Sequence, residues 1–436
     1  MSDKSSSVHR FWFMLALVVA GEAVFVLPFN LTRFFRPIIL DVFQLTNTEL
    51  GAAQGAYGVM AMVSYFLGGP LADRFPARKL LASSLWATAA GGLYMATFPG
   101  YRGAVFLWGF FGVTTILLFW AALIRATRDW GGVDKQGRAY GLLDSGRGLL
   151  AAVLASLGVL AFGLAFPDGY SAASVNEREN ILRLVIYGYT AVTAATGFLV
   201  WFVISDGHPA GSQDLAEWKP NSENVFQHVM RVLRIPAVWL QAVIVVCAYV
   251  GYKGFDNYSL FAVQAYGVDE VEASKMVTIG AWMRVIAPIG AGLLGDRFLA
   301  SRVTMLIFCV LLASHLCFAL TTPIPGLSWF LFINTLLAAL MINGLRGLYF
   351  ALFEEARVPA SVTGTAVGIV SFIGYTPDVF VALVGGILLD RSPGLPGHQH
   401  YFMFLAIFAA IGVITSFALM RMLHANEKTR VVTDAS

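Results

Sequence analysis

Apolar residues run in long blocks through nearly the whole chain, without the period-two alternation that barrel strands need. Phe11 to Pro28, Leu81 to Pro99, Val303 to Leu320 and Tyr401 to Met420 are four such blocks, each long enough as a helix to cross about 30 Å of hydrocarbon. In lipid a spanning backbone must satisfy its own polar groups, so unbroken runs of this length are helices. Breaking the runs at charge clusters and at glycine and proline gives twelve predicted spans: 11–31, 48–70, 80–98, 103–124, 138–165, 183–204, 235–262, 272–294, 303–321, 327–352, 361–389 and 400–421. The expected fold class is all-α and membrane-embedded, and an even number of spans puts both termini on one side.

Composition agrees, because the 436 residues are 58% hydrophobic and 13% charged, against roughly 25% charged in soluble domains. The first run holds Glu22 and has no small-residue cleavage site after it, so it reads as a retained span rather than a signal peptide. A net charge of +3 is too small to suggest nucleic-acid binding. Cys247, Cys309 and Cys317 lie in apolar segments without disulfide or metal spacing. His398 and His400 have no carboxylate or thiol near them, no GxxxxGK[ST] loop is present, and no nucleophile–base constellation lies inside the spans. No cofactor, no metal and no enzymatic activity is expected.

Lys and Arg crowd one set of loops, among them Arg74, Arg78, Lys79, Arg125, Arg128, Arg231, Arg234, Arg297, Arg302 and Arg421, while the opposite set holds fewer, such as Arg33, Arg36, Arg102 and Arg391. The positive-inside rule then places both termini in the cytoplasm. The polar stretch 205–224 reads as a linker, and 225–234 as a short interfacial helix with Val225, Val229, Val232 and Leu233 on one face and His228, Arg231 and Arg234 on the other. The expected organisation is a six-helix bundle over 1–204, a linker with its interfacial helix over 205–234, a second six-helix bundle over 235–422 and a cytoplasmic tail over 423–436.

The halves echo each other. Gly69-Pro-Leu-Ala-Asp73-Arg74-Phe75 follows the second span and Gly292-Leu-Leu-Gly-Asp296-Arg297-Phe298 follows the eighth, as expected of two copies of one six-helix unit. The first stretch resembles the signature loop of the major facilitator superfamily, with Pro76 where that family usually has glycine. The resemblance implies twelve helices in two pseudo-symmetric bundles, with Asp73, Arg74, Asp296 and Arg297 locking the cytoplasmic side. Arg78 belongs to the same gate, and Glu354 and Glu355, at the end of span ten, are expected to join it through salt bridges with Arg357 and Arg297.

With the spans fixed, the charges inside them are Glu22, Asp144, Arg147, Lys253, Asp256, Arg284, Arg346 and Asp378. Spans three, six, nine and twelve have none; in the superfamily those four face lipid. Glu22, Arg147 and Arg284 fall about 15 Å deep, near the midplane, at ~1.5 Å of rise per residue. Asp144 and Arg147 are three residues apart and share a helix face, so a purely structural pair is one reading. The other is an anion clamp: Gly146 and Gly148 clear space around Arg147, Arg284 adds a cation from the second half, and arginine forks match phosphate, sulfonate or carboxylate. Lys253 is an outer contributor to this clamp. Glu22 has no cation within its own span and is expected to carry a proton, unless a neighbouring helix satisfies it; Asp144 is a second proton candidate.

The segment TGTAVGIVSFIGY, 363–375, and QGRAYGLLDSGRG, 136–148, are similar to spans eleven and five of the organophosphate:phosphate antiporter group, where Arg147 falls on a histidine that recognises phosphate. That group's span-one arginine has no counterpart at depth, and its span-seven arginine falls near Gly251. A narrower likeness is to a bacterial inner-membrane branch typified by a protein encoded among sulfosugar-degradation genes, carried by Thr363, Gly364, Ser371 to Tyr375, Leu389, Asp390, Pro393 and Gly394. Tyr375 joins the expected substrate-binding residues on that ground. The expected function is a monomeric secondary active transporter of the inner membrane, moving a small organic anion by rocker-switch alternating access. An exporter of amphipathic compounds such as siderophores or drugs, and a solute receptor that does not transport, are the alternatives.

Overall fold

The computed structural model describes residues 2–132, 136–204, 230–323, 328–349, 351–356 and 360–434. These are helical almost throughout, with no strand among the described residues. The expected linker, and all of the interfacial helix before Met230, lie outside them. Helix α1 (Ser2–Phe25) runs through a π-helical turn, Val26–Asn30, into α2 (Leu31–Phe34). Helices α3 (Arg36–Phe43), α4 (Asn47–Arg74) and α5 (Ala77–Met95) follow, and α6 (Tyr101–Gly112) continues through a second π segment, Val113–Trp120, into α7 (Ala121–Gly131). Helices α8 (Gln136–Ala165) and α9 (Val175–Val203) complete the first half. The second half holds α10 (Pro236–Gly254), a 3₁₀ turn at Phe255–Asn257, α11 (Tyr258–Tyr266), α12 (Glu270–Phe298), α13 (Ala300–Leu320), α14 (Ser328–Leu348), α15 (Ala351–Glu355), α16 (Ala360–Gly374), α17 (Pro377–Arg391) and α18 (Leu395–Asp434).

Among the described residues, 11 helical stretches are long and apolar enough to cross a membrane, and each overlaps one of the twelve predicted spans. The remaining prediction, 80–98, is α5, a helix of 19 residues in which Arg78 and Lys79 at its start, and to a lesser degree two serines, a threonine and two glycines, dilute the apolar content. Two of those polar groups are used inside the bundle. Ser84 donates to the Thr114 carbonyl at 2.7 Å and Thr88 bonds the Thr114 hydroxyl at 2.9 Å, tying α5 to the second π segment. Local sequence sets the helix starts: Thr46 and Glu49 form a capping box on α4, Ser174 and Glu177 form one on α9, and Pro236 and Pro377 occupy the first positions of α10 and α17.

The chain forms two compact units. The first comprises 1–219, 256–282 and 378–390; the second comprises 220–255, 283–377 and 391–436. Contacts inside the first unit explain why two pieces from late in the sequence belong to it. Gly51, Gly55 and Gly58 make a side-chain-free face on α4, and a Cβ built on any of them would collide with α17 backbone at Ala382, Val379 or Asp378. Small-residue faces of this kind allow close helix contact in membranes, where dispersion rather than hydrophobicity holds helices together. At the head of α4, the Asp390 carboxylate accepts the backbone N–H groups of Asn47 and Thr48, at 3.3 and 2.7 Å. A carboxylate there also meets the positive end of the helix dipole.

Below this cap, Arg33 Nε donates to Asp256 Oδ1 at 2.5 Å, both residues buried. Gln54 Nε2 donates to the Thr32 hydroxyl at 3.1 Å while its oxygen accepts from the fully buried Arg36 at 3.4 Å. Between α8 and α9, the Tyr170 N–H donates to Asp269 and its hydroxyl to Asp41, at 2.8 and 2.7 Å. Burial, and then this bond to a carboxylate, push the Tyr170 phenol well above its ordinary range, so it remains a donor.

In the second unit α13 and α18 pack along each other, with the Phe308 ring filling the space that Gly412 leaves open. Helix α10 lies on α18, where Tyr401 donates to the Gly254 carbonyl at 2.9 Å, and on α16, where Gly374 admits Val245.

Two outcomes test these contacts by thermal unfolding in detergent. Removing one member of a buried ion pair leaves the other charge uncompensated, so Asp256→Ala is expected to cost about 3–5 kcal/mol, whereas Arg33→Met combined with Asp256→Leu recovers most of that loss. Gly55→Leu, which must push α17 backbone aside, is expected to cost about 1–3 kcal/mol or more.

Candidate functional site

Arg147 lies midway along α8 and is 8% exposed. Its side chain crosses to α1, where Nε donates to the Gly21 carbonyl at 2.8 Å and stands 3.7 Å from the Glu22 carboxylate. Nη1 is 3.8 Å from Asp144, one turn away on α8. The guanidinium carbon sits 5.5 Å from the centre of the Phe25 ring and 5.6 Å from that of Trp120, both within cation–π range. One buried cation is therefore met by two carboxylates, one carbonyl and two aromatic faces.

Backbone irregularities bring the rings there. Phe25 is the last residue before the π turn of α1, and Trp120 is the last residue of the π segment before α7. π-helical stretches are rare and gather at functional sites because they re-aim side chains. Pro28 cannot donate within the first turn, and its carbonyl is taken by the Trp108 indole at 3.2 Å. In the second, Thr115 donates to the Phe111 carbonyl at 2.7 Å and bonds the Tyr57 hydroxyl at 2.9 Å.

Glu22, which has no cation in its own span, meets one from a neighbouring helix: α8 supplies Arg147, and the glutamate, 2% exposed, is held against it. One sequence expectation is corrected here. Gly146 was expected to clear room beside the guanidinium, but a Cβ there would strike Val18, so this glycine serves the approach of α8 to α1. Room for the arginine comes instead from Gly21, where a Cβ would meet Arg147 Cδ at 2.9 Å.

The other expected binding residues belong to the second unit. Lys253 is buried at the end of α10 and Arg284 is half-buried on α12. Tyr375, in the turn between α16 and α17, sets its edge against Tyr249 at 4.9 Å; Tyr249 stacks on Tyr252, over which Arg346 lies at 4.4 Å. Of the expected gate residues, Asp73, Arg74, Asp296 and Arg297 are exposed at the ends of α4 and α12, and Arg78 lies 5.0 Å over the Trp201 ring. Arg125, not anticipated in this role, donates to the Ala72 carbonyl next to Asp73. Glu355 was expected to bridge to Arg297 and Arg357; among the described residues its carboxylate instead accepts from the Ser301 N–H and hydroxyl at 2.8 and 2.5 Å, capping α13. The side chain of Glu354 and the whole of Arg357 lie outside the described residues.

Sequence reasoning passed over Gly21, Phe25, Trp120 and the Arg33–Asp256 pair, and it named Asp390 only as part of a resemblance, not as the cap of α4. Arg33 and Arg36 counted only as loop charges, because the groups that meet them, Asp256 and Gln54, lie on other segments of the chain.

The Major Facilitator Superfamily profile matches residues 11–377. "Inner membrane protein YihN" of Escherichia coli is 28% identical over 97% of this chain and 99% of its own length. "Probable nitrate/nitrite transporter NarK2" of Mycobacterium tuberculosis is 26% identical over 82% of both chains. Among solved structures, a bacterial homologue of the human lysosomal transporter Spinster, in an inward-facing and unoccupied conformation, aligns over 96% of this chain and 98% of its own with a TM-score of 0.74 at 15% identity. With the helical fold and the family profile in agreement, the chain belongs to the Major Facilitator Superfamily and is a membrane transport protein, not an enzyme.

Proposed function

We propose that the protein is a secondary active transporter of the inner membrane that carries a small organic anion, an organophosphate, sulfonate or carboxylate, and couples it to a proton. The observation that carries this reading is the setting of Arg147: a buried guanidinium held by Glu22, Asp144 and the Gly21 carbonyl between two aromatic faces. An anionic cargo also accords with the name of the nitrate/nitrite relative, and the inner membrane with that of YihN.

Charge balance supplies the coupling. Glu22 and Asp144 together outweigh Arg147, so a third anion can take the guanidinium only if a carboxylate lets go. The Asp144 side chain is 50% exposed and can release into water. That of Glu22 is 2% exposed, so separating it from its cation is costly in a poorly hydrated site. Taking up a proton removes that cost. Anion on Arg147 and proton on Glu22 thus favour each other. In this reading two six-helix bundles, 1–204 and 235–422, rock about the site with both termini cytoplasmic, and Asp73, Arg74, Arg78, Asp296 and Arg297 close the cytoplasmic side.

A thermal-shift screen of purified protein against phosphate esters, sulfonates and carboxylates tests the clamp. One class is expected to stabilise the wild type, and Arg147→Ala is expected to weaken that binding ~10- to 100-fold, the range for losing a hydrogen bond to a charged group. Equal stabilisation of both proteins by every anion overturns the reading. For the proton, Glu22→Gln in proteoliposomes is expected to keep anion counterflow and lose accumulation driven by an imposed pH gradient; accumulation that persists assigns the proton elsewhere.

A further inference from the structure

Outside the Arg147 site, a groove of about 450 Å³ runs between α5 and α9 on the surface of the first unit, within the size range of small-ligand sites. Its lining includes the buried Ala89 and Thr190, the more exposed Ala90 and Ala194, and the side chains of Trp86 and Tyr187. The groove is built rather than left over. Gly197 lacks the Cβ that would strike the Trp86 indole nitrogen, so the indole lies down against α9, where Phe198 and Trp201 pack on it with ring centres 5.1 and 5.7 Å away. In the repeat, spans three and six correspond to nine and twelve, hence to α13 and α18. There the Phe308 ring lies over Gly412 as Trp86 lies over Gly197.

The two ends differ in charge. At the Leu93 end the nearby arginine is committed: Arg183 is 3.7 Å from Glu179 and donates to the Ala96 carbonyl at 3.2 Å. At the Trp86 end the stretch 73–79 carries Arg74, Arg78 and Lys79 against the single Asp73, and the Arg78 guanidinium lies over Trp201, which packs on Trp86. Trp86 is eight residues along the helix from Arg78 and Leu93 seven more, so the groove begins ~12 Å from the basic end and continues for ~10 Å at 1.5 Å per residue. One leaflet of hydrocarbon is ~15 Å deep. A cleft that begins ~12 Å from the basic cluster and ends ~22 Å from it straddles the midplane, where it can take only the far part of an acyl chain whose phosphate lies at that cluster.

We infer that the α5–α9 groove is a binding site for an anionic phospholipid, with the far part of one acyl chain in the cleft and the phosphate at the Arg78 end. This assignment is independent of what the protein transports. Arg78 and Lys79 supply the charge preference, the alanines admit the chain, and Trp86 and Tyr187 flank it.

The test uses wild-type protein in phosphatidylcholine vesicles doped with phosphatidylglycerol whose acyl chain bears a photoreactive diazirine, with adducts located by peptide mass spectrometry. Adducts concentrated on 86–94 and 187–194, and competed by unlabelled phosphatidylglycerol several-fold better than by phosphatidylcholine, are expected. Adducts spread evenly over the lipid-facing helices, or competed equally by both lipids, overturn the site. Ala90→Leu combined with Ala194→Leu fills the cleft from residues that are not buried, and is expected to remove the concentrated labelling while the unfolding temperature in lipid-free detergent stays within a few degrees of wild type. Arg78→Gln is expected to keep the labelling and abolish the preference for the anionic lipid; retained preference also overturns the assignment.

Discussion

A guanidinium inside a membrane protein must find its solvation in the protein, and that requirement organises the first half around Arg147. Each group about it answers the same demand: a carbonyl at Gly21, carboxylates at Glu22 and Asp144, and the faces of Phe25 and Trp120. Meeting the demand dictates local structure. Gly21 is bare so that the arginine can cross α1, Gly146 is bare so that α8 can come close enough, and two helices depart from α geometry just where the rings are needed. Function, in the reading proposed above, uses the same arrangement, since groups that solvate a cation in the resting state are the groups a substrate must displace.

The same rule extends to other charges buried in the first unit. Arg33 meets Asp256, and Arg36 shares Gln54. Such pairs need not stabilise the fold relative to apolar replacements of the same shape, because desolvation offsets their attraction. What they do is make particular contacts specific. A chain of alanines and leucines could slide along its neighbours; an arginine that has one carboxylate within reach cannot.

Much of the architecture was legible in the sequence, for a plain reason: hydrocarbon thickness sets the length of an apolar run, and a run is a local property. The duplicated Asp-Arg-Phe loops were legible because they are contiguous, and Asp144 beside Arg147 because three residues on one helix share a face. α5 was legible as a helix, though its polar residues, of which Ser84 and Thr88 are spent on the π segment, leave it less apolar than the others. Partners across the chain were not legible. Gly21 and Arg147 are 126 residues apart, and Arg33 and Asp256 are 223 apart; helical periodicity says which face a residue occupies and nothing about which helix that face meets. Whether a neighbouring helix met Glu22 therefore stayed open, Gly146 looked like a substrate-side opening, and Glu355 looked like a gate residue although it caps α13. Asp390 and the glycine face of α4 likewise draw late segments to the first unit.

That glycine face bears on kinetics as much as on stability. Helices that interlock by side chains must unmesh rotamer by rotamer when they part, and must re-register when they return. Gly51, Gly55 and Gly58 offer α17 nothing to unmesh: the contact is backbone against backbone, held by dispersion and weak Cα–H donors, with little side-chain entropy to lose on closing. A surface of this kind behaves as a bearing rather than a latch. In a transporter whose cycle opens this end of the bundle, selection for glycine on α4 would act on the smoothness of the motion, and the single carboxylate of Asp390 would be left to mark where the motion stops.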